Sequence, residues 1–227
     1  MINYKLISFD KIPSTQTYAH ELVSSGRAAD GVVILANAQS AGRGRYRRQW
    51  VSHHGNLYAS FILSSESRDS RLSYSVAVAV AETLIQFGAA PGIKWPNDIL
   101  IDGKKISGIL IEYSKKFVII GIGINIKSNP RVANYETTKL DNYAKATRDE
   151  VLNSLMKSID LWTHRDFSKT KERWMQLAVG LEKNIVYRGA RAVLCGINDD
   201  GALVLRKNAE YIFAYGDEIS IDLSGEL

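Results

Sequence analysis

Apolar and polar positions change period several times along this chain, and each change predicts an element. Residues 4–9 read as a strand. Ser14-Thr15 then offers an N-cap for a short helix over 16–24, ended near Gly26. Residues 31–36 form an apolar, β-branched run, the pattern of a buried strand, and 57–63 form another strand. Residues 71–87 are rich in alanine and valine with a helical stripe, closed by Gly88. Pro96 pushes Lys94-Trp95 toward an extended shape, Asn97-Asp98 suits a turn, and 99–101 resume a strand. Asp102-Gly103 is a hairpin signal between apolar runs. Residues 106–113 and 117–126 follow as long paired strands. The second is apolar on both faces, which places it in mid-sheet.

Residues 130–147 are polar and irregular. Thr147 with Glu150 makes a capping box for a helix reaching about His164. Residues 166–178 suggest a further helix with Trp174 on its apolar side. The pattern changes after Gly180, to short strands over 185–187, 190–197, 202–206, 209–214 and 218–221. Asp199-Asp200-Gly201 and Tyr215-Gly216-Asp217 are turns between them. This describes a small all-β barrel or sandwich. The expected boundary lies near Leu181, with one domain over 1–181 and a second over 182–227.

Composition narrows the class. With 45% hydrophobic and 23% charged residues, the chain resembles ordinary globular proteins. No apolar run approaches the roughly 20 residues that span a bilayer, and no secretory signal is visible. Cys195 is the only cysteine, so no internal disulfide forms, which fits a reducing, cytoplasmic setting. The net charge of +5 suits an anionic ligand, an acidic partner or nucleic acid, and equally plain solubility.

Three runs carry the candidate chemistry. Gly42-Arg43-Gly44-Arg45-Tyr46-Arg47-Arg48-Gln49-Trp50 packs four arginines and two glycines between predicted strands. Guanidinium forks suit carboxylate and phosphate, and glycine permits positive φ and close approach to a ligand. The run reads as a flexible cover over a small anion. Arg43 and Arg45 each follow a glycine and are the better contact candidates; Arg47 and Arg48 read as solvated. Lys94-Trp95-Pro96-Asn97-Asp98 joins a cation, an aromatic ring, a turn and two oxygen-bearing side chains. Alone it would be an ordinary turn with a core tryptophan. In the third run, Lys105 stands at the mouth of a strand, Gly108 leaves room for a ligand to lie on the sheet, and Glu112 follows.

Other chemistries are excluded. Gly121-Ile122-Gly123-Ile124-Asn125 lacks the third glycine and the helix of a dinucleotide fingerprint. There is no Walker loop. His53-His54 lack zinc-hydrolase spacing, and Cys195 lies far from both.

These motifs resemble the biotin protein ligases (biotin–[acetyl-CoA-carboxylase] ligase), over nearly the whole chain. The resemblance implies an α+β fold: a mixed-sheet catalytic domain of the biotin/lipoate ligase type followed by a small SH3-like β-barrel. It implies that biotin's carboxylate attacks Mg-ATP to give biotinyl-5′-AMP, and that a lysine of a biotin carboxyl carrier protein then takes the biotinyl group. Carried over by position, Ser14, Thr15 and Gln39 would hold the biotin head. Gly42 and Arg43 would close over its tail, and Gly108 would flank the chain. Lys105 would contact carboxylate and phosphate. Arg45, Trp50, Asn97 and Asn125 would face the nucleotide. Lys94 and Asp98 would sit near the phosphates, the metal or the incoming lysine. Magnesium would arrive with ATP, without a dedicated protein cage. Family members often pair through the catalytic sheet, which makes a homodimer an expectation as well.

Two departures matter. Arg47 stands where the family loop usually has glycine, and a positive φ there would strain the backbone. The pattern also starts within the first ten residues, leaving no room for the DNA-binding domain of bifunctional members; no operator binding and no membrane association are expected. Two competing readings remain. A lipoate or octanoate ligase or transferase shares the fold, but the arginine loop and a cysteine-free catalytic part argue against it. A nucleic-acid-binding module would use the arginine loop and the basic β domain, but leaves Lys94–Asp98 and Lys105 without a purpose.

Overall fold

The computed structural model describes residues 1–133 and 135–215. The expected strand over 218–221 and most of the turn before it lie outside them. Seven strands build the main sheet: β1 (Lys5–Ile12), β2 (Val32–Gln39), β3 (Leu57–Ser64), β4 (Gly92–Lys94), β5 (Asp98–Ile101), β6 (Lys104–Ser114) and β7 (Phe117–Ile124). Their order is β1-β2-β3-β7-β6-β5-β4, so β7 lies in mid-sheet, as its two-faced apolarity implied. Helix α1 (Thr15–Ser24) connects β1 to its parallel neighbour β2; the remaining pairs are antiparallel. Thus the sheet is mixed.

One face is covered by α2 (Leu72–Gln86), which packs against α3 (Arg148–Thr163) and α4 (Phe167–Leu177). Tyr74 through Ala81 of α2 are all buried. A helix walled on every side needs small side chains, and this one supplies alternating valine and alanine. The capping box of α3 is formed: Thr147 Oγ1 accepts from Glu150 N, and the Glu150 carboxylate accepts from Thr147 N at 2.7 Å. On the opposite face, α1 covers the β1–β2–β3–β7 side and touches the far part of β6, burying Ala19, Leu22 and Val23 against Ile34, Ile62 and Ile119. The rest of that face is left to the cleft.

Beyond α4 the chain turns to β8 (Asn184–Tyr187), β9 (Ala190–Ile197), β10 (Leu203–Lys207) and β11 (Glu210–Ala214), an antiparallel sheet ordered β11-β10-β9-β8. Among the described residues this sheet is open, not a closed barrel. Its Leu194, Leu203 and Leu205 belong to the same apolar core as α2 and the main sheet. Tyr74 bridges the two sheets. Its hydroxyl donates to Gly201 O at 3.0 Å and accepts from Trp95 Nε1 at 3.3 Å.

Candidate active site

The uncovered part of the main sheet forms the floor of a cleft of about 890 Å³. Three glycines make that floor: Gly108 pairs with Gly123 across β6 and β7, and Gly121 pairs with Leu110. A Cβ at Gly123 would stand 2.5 Å from the Trp50 indole, and one at Gly121 would stand 2.6 Å from Gln16 Oε1. Real side chains do not approach so closely, so glycine is required by what lies on the sheet. This revises one expectation. The space over Gly108 is taken by Trp50 itself, whose ring would meet a Cβ there at 2.8 Å.

One part of the cleft is a neutral polar network. Ser14 caps α1 through Thr17 N, which fixes Thr15 and Gln16 in the first turn over the sheet. Gln39 Oε1, at the end of β2, accepts from Thr15 N at 2.8 Å and from Thr15 Oγ1 at 3.2 Å. Its amide Nε2 donates to Ser52 Oγ at 2.8 Å. Ser60 Oγ lies 2.9 Å from Thr15 Oγ1 and 3.0 Å from Gln16 Oε1. Thr15, Gln16 and Ser60 are all buried. Paired buried polar groups of this kind are held in place, because any unpaired one costs about 1–3 kcal/mol.

The arginine run is a β-hairpin over this floor. Trp50 N donates to Gly42 O at 2.9 Å, Gly44 N to Arg48 O at 2.8 Å, and Arg48 N to Arg45 O at 3.1 Å. Tyr46 (φ 54°) and Arg47 (φ 59°) supply the turn. Both central residues left-handed is the type I′ pattern, which favours Asn-Gly. The glycines therefore do not turn the backbone, contrary to expectation. Gly44 is extended, and Gly42 is glycine for space, since its Cβ would lie 2.4 Å from Trp50 O. The strain expected at Arg47 is present, on the order of 1–3 kcal/mol for a side chain in this region. Arg45 stacks on the Tyr46 ring with its carbon Cζ 5.1 Å from the centroid. Arg43 reaches β6 and pairs with Glu112 at 2.8 Å.

The cationic part is built by a second hairpin. Lys94 and Asp98 are register partners of β4 and β5, with Trp95-Pro96-Asn97 as the turn. Asn97 Nδ2 donates to Ile109 O at 2.9 Å, and Ile109 N donates back to Asn97 O at 3.0 Å, which pins the turn to β6. Lys105 Nζ lies 2.6 Å from Asp98 Oδ1. The contact is ionic and not a well-aligned hydrogen bond, since Asp98 Oδ1 has no directed donor. The ammonium also lies 5.5 Å from the Trp50 centroid and 5.2 Å from that of Tyr135, within cation–π range. Lys94 has no polar partner among the described residues.

Of the residues singled out from sequence, Ser14, Thr15, Gln39, Arg43, Arg45, Trp50, Lys94, Asn97, Asp98, Lys105 and Gly108 line this one cleft. Two do not. Gly42 is buried at the hairpin base. Asn125 is 1% exposed; its Nδ2 donates to Thr138 O at 3.0 Å and its carbonyl accepts from Leu140 N, so it anchors the segment behind Tyr135. Sequence reasoning missed Gln16, Ser60 and Tyr135 in the cleft and assigned no role to Glu112. Gln16 had a signal, standing beside the capped Ser14-Thr15. Burial alone would raise the Glu112 pKa, but hydrogen bonds from Gln16 and His20 and the Arg43 charge prevail and hold it below the ordinary value.

Comparison with known proteins fits this geometry. Residues 8–129 match the Biotin/lipoate A/B protein ligase family. The chain is 35% identical to the bifunctional ligase/repressor BirA of Bacillus subtilis, over 95% of this chain and 74% of that one. It is 30% identical to the biotin–[acetyl-CoA-carboxylase] ligase of Mycobacterium tuberculosis, over 80% and 76% of the two chains. The solved biotin protein ligase of Aquifex aeolicus in complex with biotin and ATP matches with a TM-score of 0.85 at 28% identity, over 96% of this chain and 98% of that one.

Proposed function

The chain belongs to the biotin/lipoate A/B protein ligase family, and we propose that it is a biotin protein ligase that joins biotin to ATP and passes the biotinyl group to a lysine of a carboxylase carrier domain. Biotin and ATP are its substrates, ATP arriving with magnesium. The observation that carries this reading is one cleft with a neutral polar network at Thr15, Gln39 and Ser60 and an ammonium pair, Lys94 and Lys105, farther along the same floor. Gln16 lies over Gly121, which pairs with Leu110, and Lys105 is five residues from Leu110 on the same strand. The Lys105 side chain folds back along the strand, its Cε 3.4 Å from where a Cβ on Gly108 would stand, and Gly108 is two residues from Leu110, so at about 3.3 Å per residue the ammonium end and Gln16 are separated by about 7 Å of strand, the length of a short chain ending in a carboxylate.

The chemistry follows from charge. The carboxylate oxygen of biotin attacks the α-phosphorus of ATP. The bond to pyrophosphate breaks, and a mixed anhydride, biotinyl-5′-adenylate, forms. Two anions meet in this step, so Lys105, Lys94, Arg43 and Arg45 offset repulsion and stabilise charge developing on the phosphorus oxygens. Ser14, Thr15 and Gln39 hold the biotin head; Gly42 lets the hairpin close, and Gly108 lets Trp50 lie against the floor. Arg45, Trp50, Lys94, Asn97 and Lys105 face the nucleotide, and Asn125 acts from behind by holding the Tyr135 segment. The hairpin excludes water, which would hydrolyse the anhydride. A carrier lysine, as its neutral amine, then attacks the acyl carbon; the bond to AMP breaks, AMP leaves as the anion, the amine's proton passes to water, and Asp98 lies near the incoming side chain.

Residues 1–181 form the catalytic unit in this reading and 182–227 an SH3-like β domain. The reading extends to a carrier domain of acetyl-CoA carboxylase as acceptor, to a homodimer and to a cytoplasmic setting. No helix among the described residues is long and apolar enough to cross a membrane. Incubation with biotin, Mg-ATP and a carrier domain tests the activity. Pyrophosphate release and labelled carrier are expected; turnover with lipoate but not biotin, or salt-sensitive nucleic-acid binding without turnover, would overturn it.

A further inference from the structure

We propose that Glu112 is a positioning residue that clasps the arginine hairpin shut and ties its closure to the polar part of the cleft. The proposal rests on the reading of that cleft as the site of biotinyl-adenylate. Glu112 spends both carboxylate oxygens on this task. Oε1 accepts from Arg43 at 2.8 Å. Oε2 accepts from Gln16 Nε2 at 2.9 Å and lies 2.9 Å from His20 Nε2. The carboxylate side chain is 27% exposed and that of Arg43 41%, so water screens the pair only in part.

The contacts continue without a break. Gln16 Oε1 faces Ser60 Oγ, Ser60 Oγ faces Thr15 Oγ1, and Thr15 donates to Gln39. Gln39 donates to Ser52 Oγ, and Ser52 Oγ donates to Trp50 O at 3.1 Å. The chain therefore begins at one foot of the hairpin, Arg43, and ends at the other, Trp50. It crosses the polar part of the cleft on the way. Proton counting makes it directional. Ser60 has one hydroxyl proton and two acceptors in reach, so it donates to one at a time. Gln16 Oε1 accepts only, so the satisfied arrangement sends that proton to Gln16. The Thr15 hydroxyl proton then goes to Ser60 or Gln39. A ligand that engages Thr15 or Gln39 acts on the same bonds that seat Gln16 against Glu112, and Glu112 holds Arg43. Gly121 permits this, because only its missing side chain lets Gln16 lie flat on the sheet.

Glu112→Gln keeps the shape and removes the charge. The variant is expected to release biotinyl-adenylate about tenfold faster, the scale of one charge-assisted hydrogen bond, while the first burst of pyrophosphate changes less than about threefold. Trypsin supplies a readout independent of activity, since the hairpin carries Arg45, Arg47 and Arg48. Cleavage there is expected to speed up by about the same factor in the variant. Unchanged adenylate retention together with unchanged hairpin cleavage would overturn the clasp. If the wild type makes no pyrophosphate from biotin and ATP, the parent reading fails, and faster cleavage in the variant still supports the clasp while unchanged cleavage removes it. If Glu112→Gln does not fold, Glu112→Asp serves instead: it keeps the charge but withdraws it by one methylene. Faster hairpin cleavage in that variant supports the clasp, and wild-type cleavage overturns it.

Discussion

The polar and cationic parts of the cleft are built on opposite plans. Around Gln39, the polar contacts are made between protein groups, neutral with neutral, and are buried or half-buried. Around Lys105, charge outruns pairing: Lys94 has no polar partner among the described residues, and Lys105 has one ionic contact and two aromatic faces. A neutral head is recognised by shape and hydrogen bonds that exist beforehand, with little to reorganise. Anions are recognised by cations whose own protein partners are kept few, because each additional carboxylate would compete with the phosphate. The first plan favours selectivity and the second favours the reaction step.

Substitutions should separate the two plans. Lys105→Ala, in the cationic part, is expected to slow adenylate formation by about 100- to 1,000-fold, the usual cost of losing a group aimed at developing charge. Burst measurement of pyrophosphate checks this, and biotin affinity should fall by less than the rate, since the head keeps its own contacts. Gln39→Leu, in the polar part, is expected to do the reverse. It should weaken biotin binding by about 10- to 100-fold, with turnover at saturation nearly unchanged, in calorimetry beside steady-state kinetics. If both variants lost affinity and rate in equal measure, the distinction between the parts would be gone. Gly123→Ala sharpens the comparison at the boundary. Its new methyl would stand 2.5 Å from the Trp50 indole. Overpacking of about 1–3 kcal/mol should push the ring off the floor and raise the KM for ATP more than that for biotin. Arg47→Gly should have the smallest effect. Relief of the left-handed turn by about 1 kcal/mol should slow amide exchange at Gly44 about fivefold, read by mass spectrometry, and leave both binding constants near their original values.

Most of the frame was legible from residue pattern. The two-faced apolar run of β7 specified a central strand, and Thr147 with Glu150 specified a helix start, because local chemistry alone decides both. The hairpin at Lys94–Asp98 was half legible: Pro96 fixed its shape, but the register that sets Lys94 opposite Asp98 depends on β6. The arginine run was misjudged in its backbone. Its turn falls on Tyr46-Arg47, the opposite of what turn preference teaches, and its glycines answer to crowding instead of φ. Ser60 and Gln16 were invisible as a pair, since 44 residues separate them and only the sheet brings them together. Tyr135 comes from an irregular segment with no period to read, placed by the buried Asn125 behind it.

The tyrosine at the seam has a bearing on how this protein could be dissected. Tyr74 hands its proton to Gly201 and receives one from Trp95, next door to Lys94. An engineer who trimmed the molecule at residue 181 to obtain a minimal enzyme would remove that acceptor, lay bare the apolar core that Leu194, Leu203 and Leu205 cover, and slacken the turn that carries a key ammonium. The small sheet is thus a buttress, and the two halves are portable only as one piece.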